Sequence, residues 1–330
     1  MYPSILVGTD GSPTASRAVA RAGMLAEALG AKLHIVTVVS HKGEAEGRFE
    51  RLELPERGKA ETHIEIGDPA TKMVELAKRL GAELIVLGSK GMRGFGHSLI
   101  GTVPNKVSHA CQCDLLIVAT DADRSALHSK VVLATDGSPT SIDAVDTGLR
   151  WAKHLGASPR LIYAGHPKTA EIVFTEVCAV LGPVESESLQ GDPAEAICAY
   201  AESGGYDLIV VGDKGMDRGR LALGSVPNKI SHGSPVDVLI VKTTRRTVEE
   251  LEPGQGAVLI TAGEKVAVFR SEDGSVERLS PRCSHMGCTV GWNPAERTWD
   301  CPCHGSRFEA GGRVIEGPAT RDLAALGPGD

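Results

Sequence analysis

Val7-Gly8-Thr9-Asp10-Gly11-Ser12-Pro13-Thr14 returns later in the chain as Leu133-Ala134-Thr135-Asp136-Gly137-Ser138-Pro139-Thr140. Outward from it, Gly67-Asp68-Pro69-Ala70 returns as Gly191-Asp192-Pro193-Ala194. Pro104-Asn105-Lys106-Val107-Ser108-His109 returns as Pro227-Asn228-Lys229-Ile230-Ser231-His232. The offsets are 126, 124 and 123 residues. A unit that long is a whole domain present twice, not a solenoid of short repeats.

Each copy reads as alternating strands and helices. Ile5–Thr9 is an apolar run, as a buried parallel strand requires. Ser12 supplies a helix cap and Pro13 the first helical position; the helix continues through Ala18, Ala22, Leu25 and Leu29 and stops at Gly30. Leu33–Val39 is the next strand, and Ile64 and Ile66 mark a short one. Pro69–Leu80 is a helix ending at Gly81, Leu84–Leu87 a strand leading into a Gly-rich loop, and Leu115–Ala119 closes the unit. Copy two places strands near 131–135, 160–164, 184–189, 207–211 and 236–241. Helical pattern between strands two and three is weak at 42–60 and clearer at 169–181. Right-handed crossovers make each copy an α/β doubly wound parallel sheet. The polar stretches 121–129 and 243–252 read as linkers, which divides the chain into 1–122, 129–243 and 247–330.

The last segment carries a different chemistry. Cys283-Ser284-His285-Met286-Gly287-Cys288 and Cys301-Pro302-Cys303-His304-Gly305-Ser306 each supply one Cys and one His at ligand spacing, plus a spare Cys. Mixed pairs on two loops suit a cluster whose irons are ligated differently, as in a Rieske [2Fe-2S] centre. A two-plus-two Cys/His set also suits tetrahedral zinc, though zinc fingers usually pair Cys with Cys and His with His along the chain. Cys288 and Cys303 are a second discriminator, because a four-coordinate zinc needs neither.

Bulk numbers bound the rest. At 330 residues more than one domain is expected. Lys and Arg number 35 against 42 Asp and Glu, a net charge of −7, with no electrostatic footprint for nucleic acid. The longest apolar runs, such as Leu115 to Ala119, are strand-sized, so no membrane span is expected. Met1-Tyr2-Pro3-Ser4-Ile5-Leu6-Val7 enters a strand at once without a basic segment, unlike a signal peptide; a cytoplasmic protein is expected. Of eight Cys, Cys111, Cys113, Cys178 and Cys198 lie outside the cluster segment; Cys111 and Cys113 read as small hydrophobes before a strand rather than a redox pair. Trp292 and Trp299 read as the packing that a small β domain needs.

From about Thr247 to Asp330 the chain resembles the Rieske family, most of all the modules fused behind FAD-dependent oxidoreductases. The resemblance rests on Cys-Pro-Cys-His-Gly-Ser at 301–306 and on Gly317-Pro318-Ala319, which matches the family's proline loop. It implies an all-β domain with Cys283 and Cys301 on one iron, His285 and His304 on the other, and a Cys288–Cys303 disulfide between the loops. It places Ser306 as a hydroxyl donor to a cluster sulfur, which raises the potential. Phe308 stands where high-potential members have Tyr, so a second donor is missing. The plain alternative for Ser306 is a turn serine. The family's outward His nitrogens also imply a potential that falls as pH rises through their oxidised-state pKa values.

After Leu84-Ile85-Val86-Leu87 come Gly88-Ser89-Lys90-Gly91, nine residues, then Gly101-Thr102. A Gly-rich turn followed by a helix N-terminus lets backbone N–H groups approach phosphates. This spacing resembles the universal stress protein family, whose ATP-binding members carry G-x2-G-x9-G-S/T; the two copies cover about Met1 to Thr243. The resemblance implies ATP or a related adenine nucleotide, with Asp10 on the ribose or adenine, Val38 on the adenine, and Gly88, Gly91, Gly101 and Thr102 on the phosphates. In copy two the equivalents are Asp136, Gly212, Gly215, Gly224 and Ser225, but only eight residues separate Gly215 from Gly224, which departs from the pattern. The alternative is tight turns in a nucleotide-free member. Lys90 and Arg93, and in copy two Lys214 and Arg218, add charge that either neutralises phosphate or is solvated. His109 and His232 read as helix C-terminal residues. No base or nucleophile stands out, so binding without rapid hydrolysis is expected.

Together the resemblances imply two universal stress domains packed as an intramolecular pseudo-dimer, followed by a Rieske domain. The implied role is an electron-transfer or redox-sensing protein coupled to an adenine-nucleotide module, with an unidentified redox partner protein, rather than a stand-alone catalyst. One alternative is a ferredoxin-like component of an oxidoreductase system. Another is a stress-response nucleotide-binding protein with a structural metal site.

Overall fold

The computed structural model describes residues 1–41, 60–90, 101–120, 127–213, 223–242, 248, 251–261, 264–293, 296–301 and 304–327. They form two compact units, Met1–Phe174 with Val184–Thr243, and Thr175–Pro183 with Thr244–Asp330.

In the first unit, copy one runs β1 (Ser4–Gly8), α1 (Pro13–Leu29), β2 (Lys32–Val39), β3 (Ala60–Ile66), α2 (Pro69–Leu80), β4 (Leu84–Gly88), α3 (Thr102–Ala110) and β5 (Asp114–Val118). Copy two runs β6 (Lys130–Ala134), α4 (Pro139–Leu155), β7 (Ser158–Ala164), α5 (Pro167–Leu181, its residues from Thr175 on counted with the second unit), β8 (Ser186–Leu189), α6 (Pro193–Ser203), β9 (Leu208–Gly212), α7 (Ser225–Gly233) and β10 (Asp237–Val241). The repeated motifs are helix boundaries. Ser12 Oγ accepts the Ala15 N–H at 3.2 Å and Ser138 Oγ the Ser141 N–H at 3.3 Å, while Asp68 and Asp192 cap α2 and α6 in the same way. Gly30, Gly81 and Gly156 end their helices in the left-handed conformation that glycine adopts without steric cost. The helical segment expected weakly at 42–60 falls almost wholly outside the described residues.

The strands form one ten-stranded sheet in the order β3-β2-β1-β4-β5-β10-β9-β6-β7-β8. Within each copy neighbours are parallel; β5 and β10 meet antiparallel, Leu239 opposite Leu116. One apolar cluster continues across that seam, from Leu6, Ile85 and Leu115 to Val132, Ile209 and Val238.

Two equivalent aspartates close the seam. At the start of β5, Asp114 accepts the Lys242 N–H at 2.8 Å; at the start of β10, Asp237 accepts the Ala119 N–H at 2.9 Å. The remaining oxygens differ. Asp114 accepts the Tyr2 hydroxyl at 2.5 Å, whereas Asp237 lies 2.8 Å from His128 Nε2 and 3.3 Å from Arg21 Nε. Trp151, fully buried, stands edge-on to Tyr2 and tilted against His128. The end of the expected 121–129 linker is thus part of the fold: His128 is buried in this network, and Ser129 bonds Asp207. Likewise Leu251, in the expected second linker, is buried with Leu259, Val266 and Val268. Polarity concealed both, because one apolar or paired residue inside a polar stretch is enough to dock it.

The second unit holds a three-stranded antiparallel sheet, β11 (Gly256–Thr261), β12 (Glu264–Arg270) and β13 (Val276–Leu279). A four-stranded one follows, β14 (Gly291–Asn293), β15 (Thr298–Asp300), β16 (Arg307–Glu309) and β17 (Val314–Glu316). Trp299 and Phe308, opposite each other on β15 and β16, are fully buried in a cluster that includes Cys283, Cys301, Val290 and Leu323. Trp299 donates its indole N–H to the Ala310 carbonyl at 2.9 Å, and Trp292 packs edge-on against it.

Candidate metal centre and nucleotide loops

The loops after β13 and β15 are built alike. In the first, Cys283 donates its N–H to the Cys288 carbonyl (2.8 Å) and accepts from the Gly287 N–H (2.8 Å). In the second, Cys301 donates to the Ser306 carbonyl (2.7 Å) and accepts from the Gly305 N–H (3.1 Å). Gly287 and Gly305 both have left-handed φ, 75° and 71°, which turns each chain back on its cysteine. Two matching knuckles result. Each buries its first cysteine, Cys283 at 2% and Cys301 at 3% exposure, and leaves its histidine exposed. His285 and His304 approach edge to face, ring centroids 4.8 Å apart. The four residues are therefore brought together with thiols inside and imidazoles outside. That donor set fits a group with one buried and one surface-facing metal, the asymmetry of a [2Fe-2S] cluster with two Cys on one iron and two His on the other.

A third segment is pinned to the second knuckle. Ser306 is fully buried, and its Oγ accepts the Ala319 N–H at 3.1 Å, leaving its own proton to donate elsewhere. Gly317 has φ 98°, and a Cβ there would lie 2.5 Å from Ser306 Cα, so only glycine lets this turn approach. Pro318 follows on the surface. Ser284 donates to the Arg321 carbonyl, tying the first knuckle to the same segment. The glycine pair was missed in the sequence; its signal was that Gly287 and Gly305 each stand four residues after their cysteine. No disulfide joins the described cysteines; Cys288 is half-buried, and its expected partner Cys303 lies outside the described residues.

In the first unit, Asp10, Gly88, Gly101 and Thr102 lie at the carboxyl end of the copy-one strands, where open α/β sheets bind ligands. Asp10 Oδ1 accepts the Ser12 N–H at 3.0 Å, and Asp136 does the same for Ser138 at 2.9 Å. Val38 is half-buried on β2. A Cβ on Gly88 would lie 3.0 Å from the Thr14 carbonyl oxygen, so this glycine also serves the close packing of α1 on β4. Thr14 donates its hydroxyl to the Lys90 carbonyl at 2.7 Å, which sets the path into the loop. Gly101 closes it by donating to the Ser89 carbonyl and precedes α3, whose N-terminus has no side-chain cap among the described residues. In copy two Gly224 closes the loop on Asp213, and Ser225 starts α7. Gly212 ends β9. Gly91, Arg93, Lys214, Gly215 and Arg218 lie outside the described residues. Near Asp136, α5 sets Val173 against Gly137, where a Cβ would meet its methyl at 2.9 Å. His109 and His232 do occupy the last turns of α3 and α7.

Among the described residues no helix is long and apolar enough to cross a membrane. Comparison with known proteins separates the two units. The Universal stress protein family model matches residues 1–119 and 179–242, and the Rieske [2Fe-2S] domain model matches 243–327. A Rieske 2Fe-2S iron-sulfur protein of Bacillus subtilis, YhfW, is 47% identical over 78 residues, 24% of this chain and 15% of its own length. The cytochrome b6-f complex iron-sulfur subunit 2 of Trichormus variabilis is 37% identical over 100 residues, 29% of this chain and 51% of its own. The chain thus spans about half or less of these relatives. A crystal structure of a universal stress protein from Archaeoglobus fulgidus covers 73% of this chain and 98% of its own, with TM-score 0.55 and 21% identity, a likeness of fold. The chain belongs to the universal stress protein family and carries a Rieske [2Fe-2S] domain behind its tandem α/β copies.

Proposed function

We propose that the chain is a one-electron carrier or redox sensor whose Rieske domain is tied to an adenine-nucleotide-binding module. The observation that supports this best is the pair of matching knuckles with buried cysteines and exposed histidines. When bound, the cluster supplies reversible one-electron transfer. Buried Cys283 and Cys301 would hold one iron and shield it from water; exposed His285 and His304 would hold the other, on the side where a redox partner protein would dock. Ser306, whose Oγ accepts from Ala319, would have its proton available for a cluster sulfur. Cys288 and Cys303 staple the knuckles.

Adenine nucleotide, ATP or a relative, binds copy one through Asp10, Val38, Gly88, Gly91, Gly101 and Thr102, with the α3 N-terminus taking phosphate. In copy two the shorter spacer and Val173 against Gly137 argue for weaker or no binding around Asp136, Gly212, Gly215, Gly224 and Ser225. The two copies act as an intramolecular pseudo-dimer, and the protein works in the cytoplasm. On this reading the chain is an electron-transfer and binding protein rather than a stand-alone catalyst.

The test has two parts. Electron paramagnetic resonance of the dithionite-reduced protein should give a Rieske signal; zinc at the site with no such signal would refute the electron-transfer reading. Potentiometry with and without ATP should give two potentials if the modules are coupled, since nucleotide then binds the two redox states differently. Equal potentials at saturating ATP would leave an uncoupled carrier of the ferredoxin type.

A further inference from the structure

A cluster outside both sites stands at the edge of the large sheet. His34 on β2 is buried, and β3 is the edge strand beside it, with Glu61 paired to His34 and His63 to Val36. Side chains two apart on a strand share a face. His34 Nδ1 accordingly lies 3.0 Å from His63 Nε2 and 3.4 Å from Glu61 Oε2. The three ligand atoms all fall within 4.8 Å of one another. Ligands about 2.0–2.1 Å from a tetrahedral zinc stand roughly 3.3 Å apart, so two of these separations already match shared coordination.

Copy two provides the contrast. Arg160, paired to Val132 as His34 is to Leu6, makes an ion pair with Glu185 at 2.7 Å, and Tyr200 donates to Glu187 at 2.7 Å. There, guanidinium and carboxylate satisfy each other at the equivalent positions. In copy one two imidazoles and one carboxylate converge instead, and the only cation drawn to the cluster among the described contacts is Lys32, 2.8 Å from Glu61 Oε1.

We propose that His34, Glu61 and His63 form a zinc site on the β2–β3 edge, with a fourth position open to water or another ligand. Two imidazole nitrogens and one carboxylate oxygen are a donor set that zinc accepts in three-ligand sites. The site ties an edge strand to its neighbour. It lies on the early residues of β2 and the middle of β3, away from the Gly-rich loops that follow the strand ends. Lys32 competes with the metal for Glu61.

The experiment uses the full cluster-loaded chain, stripped of loose metal with a mild chelator and titrated with Zn²⁺ against a chromophoric competitor. Iron and sulfide are measured before and after, so that zinc entering a damaged cluster site is recognised. One zinc per chain is expected, with an absorption-edge spectrum fitted by nitrogen and oxygen alone. His63→Gln should weaken binding well beyond tenfold, since loss of an outer partner alone costs about 10–100-fold. Exposed Glu61→Gln is the second ligand variant if His63→Gln folds poorly. Lys32→Met should tighten binding, which a merely structural hydrogen-bonded cluster would not do. No bound zinc, a sulfur shell around it, or equal affinity in wild type and the ligand variants would overturn the proposal.

Discussion

Asp114→Asn tests the chemistry of the seam. Asp114 and Asp237 hold equivalent backbone amides, yet Asp237 has Arg21 and His128 on its second oxygen where Asp114 has the Tyr2 hydroxyl. Asp114 faces the Tyr2 hydroxyl, and burial, the largest influence, pushes its carboxyl from the ordinary 3.8 up to about 6; bonds from Tyr2 and Lys242 oppose the rise only in part. A raised folded-state value means that between about pH 4 and pH 6 the folded chain holds more protons than the unfolded one, so stability falls as pH rises. The full difference is about 3 kcal/mol, lost by neutral pH; because Asp114 is only half-buried, solvent reduces it to roughly 1–3 kcal/mol. Asparagine is neutral throughout. Its oxygen can accept from Lys242, and its amide can donate to the Tyr2 oxygen. The variant should match wild type only at about pH 3.5 and below, where the carboxyl is protonated in both states, and exceed it by roughly 1–3 kcal/mol at pH 8. Urea unfolding at both pH values, with hydrogen exchange of β5 and β10 to localise the effect, reads this directly. A variant less stable than wild type at pH 8, or a difference that does not change with pH, would refute the reasoning.

Two further outcomes concern the cluster domain. Ser306→Ala should lower the midpoint potential by about 65–130 mV, if a bond of about 1.5–3 kcal/mol favours the reduced state, and Phe308→Tyr should raise it; protein-film voltammetry reads both. Gly317→Ala places a Cβ 2.5 Å from Ser306 Cα at a left-handed φ, so iron and sulfide per chain should drop while the α/β unit keeps its unfolding midpoint.

The α/β fold was legible because its signals were local and occurred twice. Ser12, Gly30, Asp68 and Gly81 each fix a helix end by their own chemistry, and their repeats at Ser138, Gly156 and Asp192 confirm the register. The seam was not legible. Asp114 and Asp237 are 123 residues apart and look like ordinary strand-start acids, and nothing in either sequence neighbourhood says that each reaches the other copy's backbone. In the cluster domain the ligand types were plain from spacing. The shared knuckle geometry was not, because His285 and His304 stand two and three residues after their cysteines and hide the common Cys-to-Gly interval.

Duplication explains why the copies have parted where they have. The positions that join them stayed matched: the same aspartate at the start of β5 and β10, and the same amide across the seam. A change there that removes the accepting oxygen would leave a buried N–H unpaired, at about 1–3 kcal/mol. The strand ends and outer edges carry no such constraint, and there the copies differ. Copy two has the shorter loop, Val173 against Gly137, and an Arg160–Glu185 pair; copy one keeps the nine-residue spacer and the His34–Glu61–His63 cluster. One copy is then free to act mainly as a support that completes the sheet. On this argument ligand-binding losses should follow substitutions in copy one, and stability losses should follow seam substitutions that remove the amide acceptor, such as Asp114→Ala or Asp237→Ala, in either copy.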